Sequence, residues 1–378
     1  MGGVGRGRKL AREVKSSPEF EKFRKLISET GVPGLFDFHL HICGGKGGAR
    51  GDASPEDLSE LPEEPFALED ADDFYAELFE GRIEIHISVF DTPLLGYDIR
   101  ARNRKLLEDL RRGRQFKASF WPFAIVTPDM RRGEVEELVE LGAKGFKITP
   151  RIAPSYRIRR RIKDVSLREM LSEDLCSAAS EHALPVLIHP PLQVAEPEVP
   201  ERLKEDLLGI LERFPKLRVI LAHLGCSHTV PKLHDWADWI QSRGLSDRVF
   251  FDASTITYPE TLKEALSLPL RILFGTDIDF CLVERGLYLA FEQNLALSSP
   301  LRRASVHLVS SKFGGKYREA LPEPPRKPLL LFQLEAICEA YKLLKQDLGA
   351  EKAEKIFRDF LFESPLSIFR NPPGGSSP

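Results

Sequence analysis

The chain is short of several things, and each shortage removes a class of protein. Its five cysteines, Cys43, Cys176, Cys226, Cys281 and Cys338, are scattered and odd in number, and no two form a Cys-x-x-Cys pair. That argues against a disulfide framework and a zinc ribbon. No apolar run approaches the roughly 18 residues that a membrane helix needs. The basic start MGGVGRGRKLAREVK lacks the apolar centre of a signal peptide, so a cytoplasmic protein with no membrane partner is expected. A net charge of −3 and the lack of interleaved basic and aromatic residues argue against a nucleic-acid partner. Asn103, Asn294 and Asn371 are the only asparagines, while Arg and Glu abound, a balance that fits a thermophilic source. No glycine-rich phosphate turn follows a strand. GVGRG at 3–7 precedes any strand and reads as a flexible terminus.

What is present is the composition of a globular protein, 42% hydrophobic and 29% charged over 378 residues. Eight short apolar runs alternate with amphipathic stretches. They are GLFDFHLH (34–41), IEIHISVFD (83–91), FKASFWPFAIV (116–126), AKGFKIT (143–149), PVLIHP (185–190), RVILAHLG (218–225), RVFFDAST (248–255) and RILFGTDI (271–278). Near-continuous apolar character is what a parallel strand buried on both faces requires. Gly81, Gly113, Gly142 and Gly244 stand where helices between the runs should end. Eight strands, each followed by a helix, predict an α/β protein, a (β/α)8 TIM barrel. Ser17-Pro18 predicts an N-terminal helix by its cap residue and N1 proline, and further helices are expected over 329–349 and 350–362. The expected organisation is a helical leader over 1–33, a single barrel domain over 34–369 and a flexible tail over 370–378. The Pro-rich LPEPPRKP (321–328) reads as an extended connector.

Polar residues fall at one end of these runs. His39 and His41 end the first, two residues apart, so on a strand they aim two imidazoles the same way. Lys147 is near the end of the fourth, His189 ends the fifth, His223 the sixth, and Asp277 lies near the end of the eighth. In a barrel the C-terminal strand ends meet at one mouth, where such enzymes do their chemistry. Buried without a partner each would be costly, and a shared metal ion is the simplest partner.

On these residues the chain resembles the amidohydrolase superfamily. The His-x-His of the first run, LIHP, LAHLG and FGTD stand in that family's motif order. GAKGFKITP (142–150), FFDAST and GAEKAEKIF…SPLSIF (349–369) give it the look of the amidohydrolase-related (amidohydrolase 2) branch of hydrolases and decarboxylases. The resemblance covers roughly 34–280 and 345–369. It implies His39, His41, His189 and Asp277 as ligands of a divalent metal, Zn or else Mn or Fe, one ion rather than two. It implies a metal-activated water, with Asp277 as general base and His223 polarising a carbonyl or donating to an oxyanion. Lys147 is left between two roles, a carboxylated bridge to a second metal or an ammonium that binds a substrate carboxylate.

The implied activity is metal-dependent hydrolysis of an amide, lactone or ester bond in a small, carboxylate-bearing molecule. The alternative is metal-dependent, non-oxidative decarboxylation, and the remaining one a non-catalytic barrel kept as a binding module. The loop after the fourth run carries Arg151, Arg157, Arg159, Arg160 and Arg161, of which Arg151 and Arg157 are the candidate substrate contacts. Asp37 is a candidate partner of a ligand histidine or its loop. His86 and His228 read as ordinary strand and loop residues, and Cys226 as a packing residue. His182, His234 and His307 read as surface. ICGGKGGARGD (42–52) reads equally as a lid or as disordered chain. Homo-oligomerisation is left open.

Overall fold

A computed structural model of the protein describes residues 5–159, 161–192, 198–278 and 328–370, together with the backbone of 288–291 and 305–308. Eight parallel strands form its centre: β1 (Gly34–Gly44), β2 (Glu84–Asp91), β3 (Ser119–Ile125), β4 (Gly145–Ile148), β5 (Pro185–Ile188), β6 (Arg218–Leu221), β7 (Val249–Asp252) and β8 (Arg271–Leu273). They lie in chain order, each hydrogen-bonded to the next. The ring closes because β1 also meets the chain that continues β8. Phe38 N donates to Phe274 O at 2.9 Å, Asp277 N donates to His39 O at 2.7 Å, and Leu40 bridges Ile278 in parallel. The α/β barrel expected from the eight apolar runs is therefore the fold. Central strands β4 to β7 are buried along their whole length, which explains their lack of polar alternation.

The helices between strands follow the amphipathic stretches, with one break. LREMLSEDLCSAASEH divides into Leu167–Met170 and Glu173–Glu181, because Ser172 Oγ accepts from Leu175 N at 3.3 Å and starts a second helix. Within the expected helical leader only the start at Ser17-Pro18 was assigned, and a further helix precedes it. Arg6–Lys15 is helical and lies against helix Leu68–Phe79, where the leading glycines had read as a flexible terminus. Long-range contact decides it. Gly7 N donates to Asp70 Oδ1 at 2.9 Å, and a Cβ on Gly7 would stand 1.9 Å from the Asp70 carbonyl oxygen. Arg8 pairs with Asp73 at 2.9 Å on the same face. The helix Pro18–Thr30 begins as expected, with Ser17 Oγ accepting from Phe20 N at 3.1 Å, and ends on left-handed Gly31.

The C-terminal helices close the opposite end of the barrel. Leu329–Leu348 and Ala350–Arg358 are followed by a π-turn and by Ser364–Arg370. Phe369 on the last helix stacks on Trp121 with ring centroids 4.5 Å apart, on Phe36 at 5.7 Å and on Phe38 at 5.8 Å. Arg218, buried at the start of β6, donates to Ile368 O at 2.7 Å and Ala183 O at 2.5 Å, so one guanidinium ties this helix to the barrel. LPEPPRKP lies outside the described residues except Pro328. Backbone of 288–291 and 305–308 pairs as an antiparallel ribbon.

Candidate metal centre at the barrel mouth

β1 carries the site's two leading histidines, and it does so through an irregularity. Its register against β2 shifts between Asp37 and Leu40, as a bulge does. Consecutive residues Phe38 and His39 consequently both find ring partners inside the barrel: Phe38 packs on Phe123 and Phe369, while His39 packs on Phe90 and His223. The aromatic floor and the polar site are stacked along one strand.

Three of the four expected ligands converge. His39 Nε2 and His41 Nε2 are 3.2 Å apart, and Asp277 Oδ1 lies 3.4 Å from the first and 3.2 Å from the second. Their donor atoms all fall within 4.8 Å of one another. Lys147 Nζ is 3.4 Å from His39 Nε2 and 5.0 Å from the centre of the Phe90 ring. His189 is not in this group. Its Nδ1 lies 3.2 Å from His223 Nε2, so it reaches the centre's neighbourhood from the other side of the mouth.

Electrostatics keep His39 and His189 neutral. Burial, reinforced by the Lys147 charge, pushes His39 down to about 4, and burial with the neighbouring His223 pushes His189 well below its ordinary value. Burial also pulls Lys147 down to about 8, against Asp252 and Asp277. For Asp277, burial opposes ionisation but the His39, His41 and His223 side chains outweigh it, so the carboxyl is held below the usual carboxylate range. Neutral imidazole nitrogens beside an ionised carboxylate are the donor set that Zn, Mn or Fe accepts. His39 Nδ1 is engaged by Asp252 Oδ2 at 2.9 Å, which leaves its Nε2 lone pair facing His41 and Asp277. A cation between these atoms would relieve their mutual repulsion, so the residues fit a metal ion.

The backbone here adopts conformations that side chains rarely take. His223, Leu224, Gly225 and Cys226 form one left-handed turn, with φ of 57°, 52°, 65° and 57°, and Asp277 has φ 58°. Each non-glycine residue in such a conformation costs about 1–2 kcal/mol. The turn cuts short the run RVILAHLG, of which only Arg218–Leu221 is strand. Trp236 Nε1 donates to Gly225 O at 3.3 Å and holds the turn.

Residues that sequence reasoning passed over complete the arrangement. Asp252, the last residue of β7, is fully buried, and Ser254 follows two residues later. Ser254 Oγ lies 2.9 Å from His223 Nδ1 and 3.3 Å from His39 Nδ1, and it donates to Asp252 Oδ1. His39, His223 and Asp252 also group closely enough to hold an ion, but this hydroxyl stands between them and makes the group a hydrogen-bonded hub. The signal for Asp252 was available, since FFDAST ends a buried run in a carboxylate as FGTD does. For Ser254 there was none, nor for Tyr75 and Thr276, whose hydroxyls both donate to Asp37 Oδ2. Asp37 bonds the backbone of His39 (3.1 Å) and Thr276 N (2.9 Å), and not a ligand imidazole.

The remaining candidates fall around the rim or away from it. Arg151 is half-buried and close enough to His189 to lower its proton affinity. Arg157 is exposed and lines a cavity of about 490 Å³ with Arg50, Tyr97, Arg100, Thr127 and Asp129. Those residues come from the loops after β1 to β4, on the same face as the centre. Arg159 and Arg161 are spent on Asp164 at 3.9 and 3.7 Å, and Arg160 lies outside the described residues. The glycine-rich loop is fastened: Tyr97 OH donates to Gly45 O at 3.1 Å and Arg50 N to Gly96 O at 2.8 Å. His86 accepts from Trp121 Nε1 at 3.3 Å and packs against Phe36 and Phe362. His228 is buried and pushed down to about 3 by burial. His182 and His234 pair with Glu136 and Glu264 at the helix surface, and the His307 side chain lies outside the described residues. Cys226 and the other described cysteines are buried and unbridged. Among the described residues no helix is long and apolar enough to cross a membrane.

A parallel barrel with imidazoles and carboxylates gathered at its C-terminal mouth defines the class. The chain belongs to the amidohydrolase family, whose model, described as Amidohydrolase, matches residues 36–309. No curated protein matches the sequence. Among solved structures, it is similar to 5-carboxyvanillate decarboxylase from Sphingomonas paucimobilis at 11% identity and a TM-score of 0.51, over 89% of this chain and 99% of that one. It is also similar to a probable 2-pyrone-4,6-dicarboxylic acid hydrolase from Acinetobacter baumannii at 12% identity and a TM-score of 0.48, over 89% of this chain and 100% of that one. A 2,6-dihydroxybenzoate decarboxylase matches at 15% identity and a TM-score of 0.41, over 66% of this chain and 89% of that one. At these identities the likeness is one of fold.

Proposed function

We propose that the protein is a metal-dependent hydrolase that opens an amide, lactone or ester bond in a small carboxylate-bearing molecule. The observation that carries this reading is the meeting of His39 Nε2, His41 Nε2 and Asp277 Oδ1 within 3.2–3.4 Å. These three side chains, with His189 moving in from beside His223, would hold one divalent ion, Zn being the first choice. Such an ion supplies Lewis acidity toward a substrate oxygen or a water. Asp277, held ionised, is the group able to take a proton from an attacking water and return it to the leaving atom. His223, beside His189, is the imidazole that would meet negative charge developing on a carbonyl oxygen once its Nε2 has taken up a proton. Lys147, with a proton affinity drawn toward neutrality, either binds a substrate carboxylate or takes up carbon dioxide to bridge a second ion. Arg151 and Arg157 approach from the rim, and Arg157 makes no ion pair with a described residue, so its guanidinium is available to a carboxylate. A cytoplasmic, thermophilic protein acting on small molecules, with neither nucleic acid nor membrane as partner, is the setting that best accords with the composition.

Decarboxylation would use the same side chains, with Asp277 taking a proton from a bound water and passing it to the carbon that carbon dioxide leaves. A similar fold serves a decarboxylase in Sphingomonas paucimobilis, which keeps this second reading open. Zn-, Mn- and Fe-loaded protein should be assayed on small lactones, amides, esters and aromatic acids. Acid formed at constant carbon count supports hydrolysis, and carbon dioxide release supports decarboxylation. Asp277→Asn should lower turnover by about 10²–10⁴-fold in either case. Full turnover by that variant would overturn the assignment of Asp277.

A further inference from the structure

Donors and acceptors around the site can be matched atom by atom, and the match starts at one carboxylate. Asp252 is buried on β7 and engaged on both oxygens. Its Oδ1 accepts from Ser254 N at 2.9 Å, from His223 N at 3.3 Å and from the Ser254 hydroxyl. Its Oδ2 faces His39 Nδ1 at 2.9 Å. An ionised carboxylate only accepts, so His39 must carry its proton on Nδ1. The Ser254 hydroxyl has given its single proton to Asp252, so toward His223 Nδ1, 2.9 Å away, it too only accepts. The Ser254 carbonyl oxygen, 3.3 Å from the same nitrogen, can do nothing else, and the Thr255 hydroxyl, also at 3.3 Å, can accept there as well. His223 therefore also carries its proton on Nδ1. That leaves a lone pair on His223 Nε2, which faces His189 Nδ1 at 3.2 Å, and only an Nδ1–H on His189 fits against it.

We propose that Asp252 is a positioning residue that fixes the tautomer of three site imidazoles: His39 directly, His223 through the Ser254 hydroxyl, and His189 through His223. The consequence is common to the two expected ligands among them. His39 and His189 both carry their lone pair on Nε2, and the His223 ring is fixed in orientation. One carboxylate thereby prepares both sides of the mouth. The value of this arrangement for binding an ion rests on the metal reading, whereas the tautomers can be read without any metal.

The chain makes an informative substitution available. In Asp252→Asn the two backbone N–H groups of Ser254 and His223 require the amide oxygen on their side. The amide NH2 must then face His39 Nδ1, which has to become an acceptor and send its proton to Nε2, toward His41 and Asp277. The experiment is long-range 1H–15N correlation on chelator-treated protein labelled with 15N-histidine at neutral pH, with signals assigned through His39→Gln, His189→Gln and His223→Gln. The unsubstituted protein should show Nδ1–H tautomers at all three positions. Asp252→Asn should invert His39 to Nε2–H. Ser254→Ala should leave His39 unchanged and mix the tautomers of His223 and His189, and Ser254→Thr should restore them. Zn²⁺ affinity, measured by competition with a chelating dye, should fall about 10–100-fold in Asp252→Asn. An Nε2–H tautomer at His39 or His223 in the unsubstituted protein would overturn the proposal, a result that needs no variant to fold. So would an unchanged His39 tautomer in folded Asp252→Asn. The expected tautomers in a protein that binds no Zn²⁺ would support the relay and sink the metal reading instead.

Discussion

Asp37 grips Thr276 twice: its Oδ1 accepts the Thr276 backbone N–H at 2.9 Å and its Oδ2 accepts the Thr276 hydroxyl at 2.5 Å. The two residues sit 239 positions apart, and their contact joins the first barrel strand to the chain leaving the eighth. Asp277 is the next residue, in a left-handed conformation. The grip therefore holds a strained backbone in the place where its carboxylate meets His39 and His41. Tyr75 OH and the His39 N–H add two more bonds to Asp37, at 2.6 and 3.1 Å.

Removing only the hydroxyl should separate the two functions of this contact. Thr276→Val keeps the shape and the backbone bond but leaves a buried carboxylate oxygen short of a donor, which costs about 1–3 kcal/mol. Tyr75→Phe should cost about as much by the same argument. Only Thr276→Val lies next to Asp277, so it alone should weaken Zn²⁺ binding. Urea unfolding of metal-free protein reads the first effect and dye competition the second. Equal loss of metal affinity in the two variants would show that Thr276 has no special part in placing Asp277.

Phe369 makes a second test of how the barrel is held. Its ring meets Trp121, Phe36, Phe38 and Phe123 at the end of the barrel remote from the mouth. Truncation to alanine opens a cavity under the site, and Phe369→Ala should lose about 3 kcal/mol of stability. Phe38 belongs to this floor and precedes His39, so metal affinity should drop with it. A shift in the denaturation midpoint with unchanged slope is the expected signature. An unaltered midpoint would mean that the last helix is only an appendage.

The barrel was legible because each strand of a closed parallel sheet is buried on two faces, and such strands announce themselves as apolar runs. The convergence of Asp277, His39 and His41 was legible for a related reason: a charged or imidazole group at the end of such a run has few harmless explanations. The strand shift at Phe38 was not, since nothing in GLFDFHLH marks where β1 loses register with β2. Nor was the left-handed turn at His223–Cys226, where one glycine among four residues gave little warning. Local sequence also concealed where the helix at Arg6–Lys15 docks, since its partner Asp70 lies more than sixty positions away. His189 shows the limit of motif order. It stands on the expected strand end, yet its ring rests on His223 and outside the His39, His41 and Asp277 group.

Lys147 should leave a signature in the pH dependence of stability. Burial lowers it from 10.5 to about 8. Below pH 8 both folded and unfolded chains hold the proton, and the folded state bears the cost of a buried ammonium. Between pH 8 and 10.5 the folded chain has released a proton that the unfolded chain still binds, so stability rises with pH across that window. The full span is worth about 3 kcal/mol. Lys147→Met removes the term, so metal-free Lys147→Met should be the more stable protein at pH 7 and should lose that advantage by pH 10.5. Parallel stability curves for the two proteins would show that Lys147 is not a buried ammonium, as would follow if it were carboxylated.

Gly225 tests whether the left-handed turn exists to place His223. It has φ of 65°, and a Cβ there would stand 2.6 Å from Trp236 Nε1 and 3.1 Å from the Phe251 ring. Gly225→Ala meets both penalties, a left-handed backbone and an overpacked contact, which together cost about 2–4 kcal/mol. The turn can escape only by moving away from Trp236, and that carries the His223 ring off Ser254 and His189. His39, His41 and Asp277 lie on other strands and should stay in place. Gly225→Ala should therefore lose turnover by an order of magnitude or more, about 10-fold at the least for a misplaced catalytic group, with Zn²⁺ affinity nearly unchanged. Trp236→Phe in the same background removes the indole N–H that the new methyl would strike, and should recover part of the turnover. If turnover and metal affinity instead fell together and Trp236→Phe recovered neither, the turn would be part of the general scaffold of the mouth, with no separate role in placing His223.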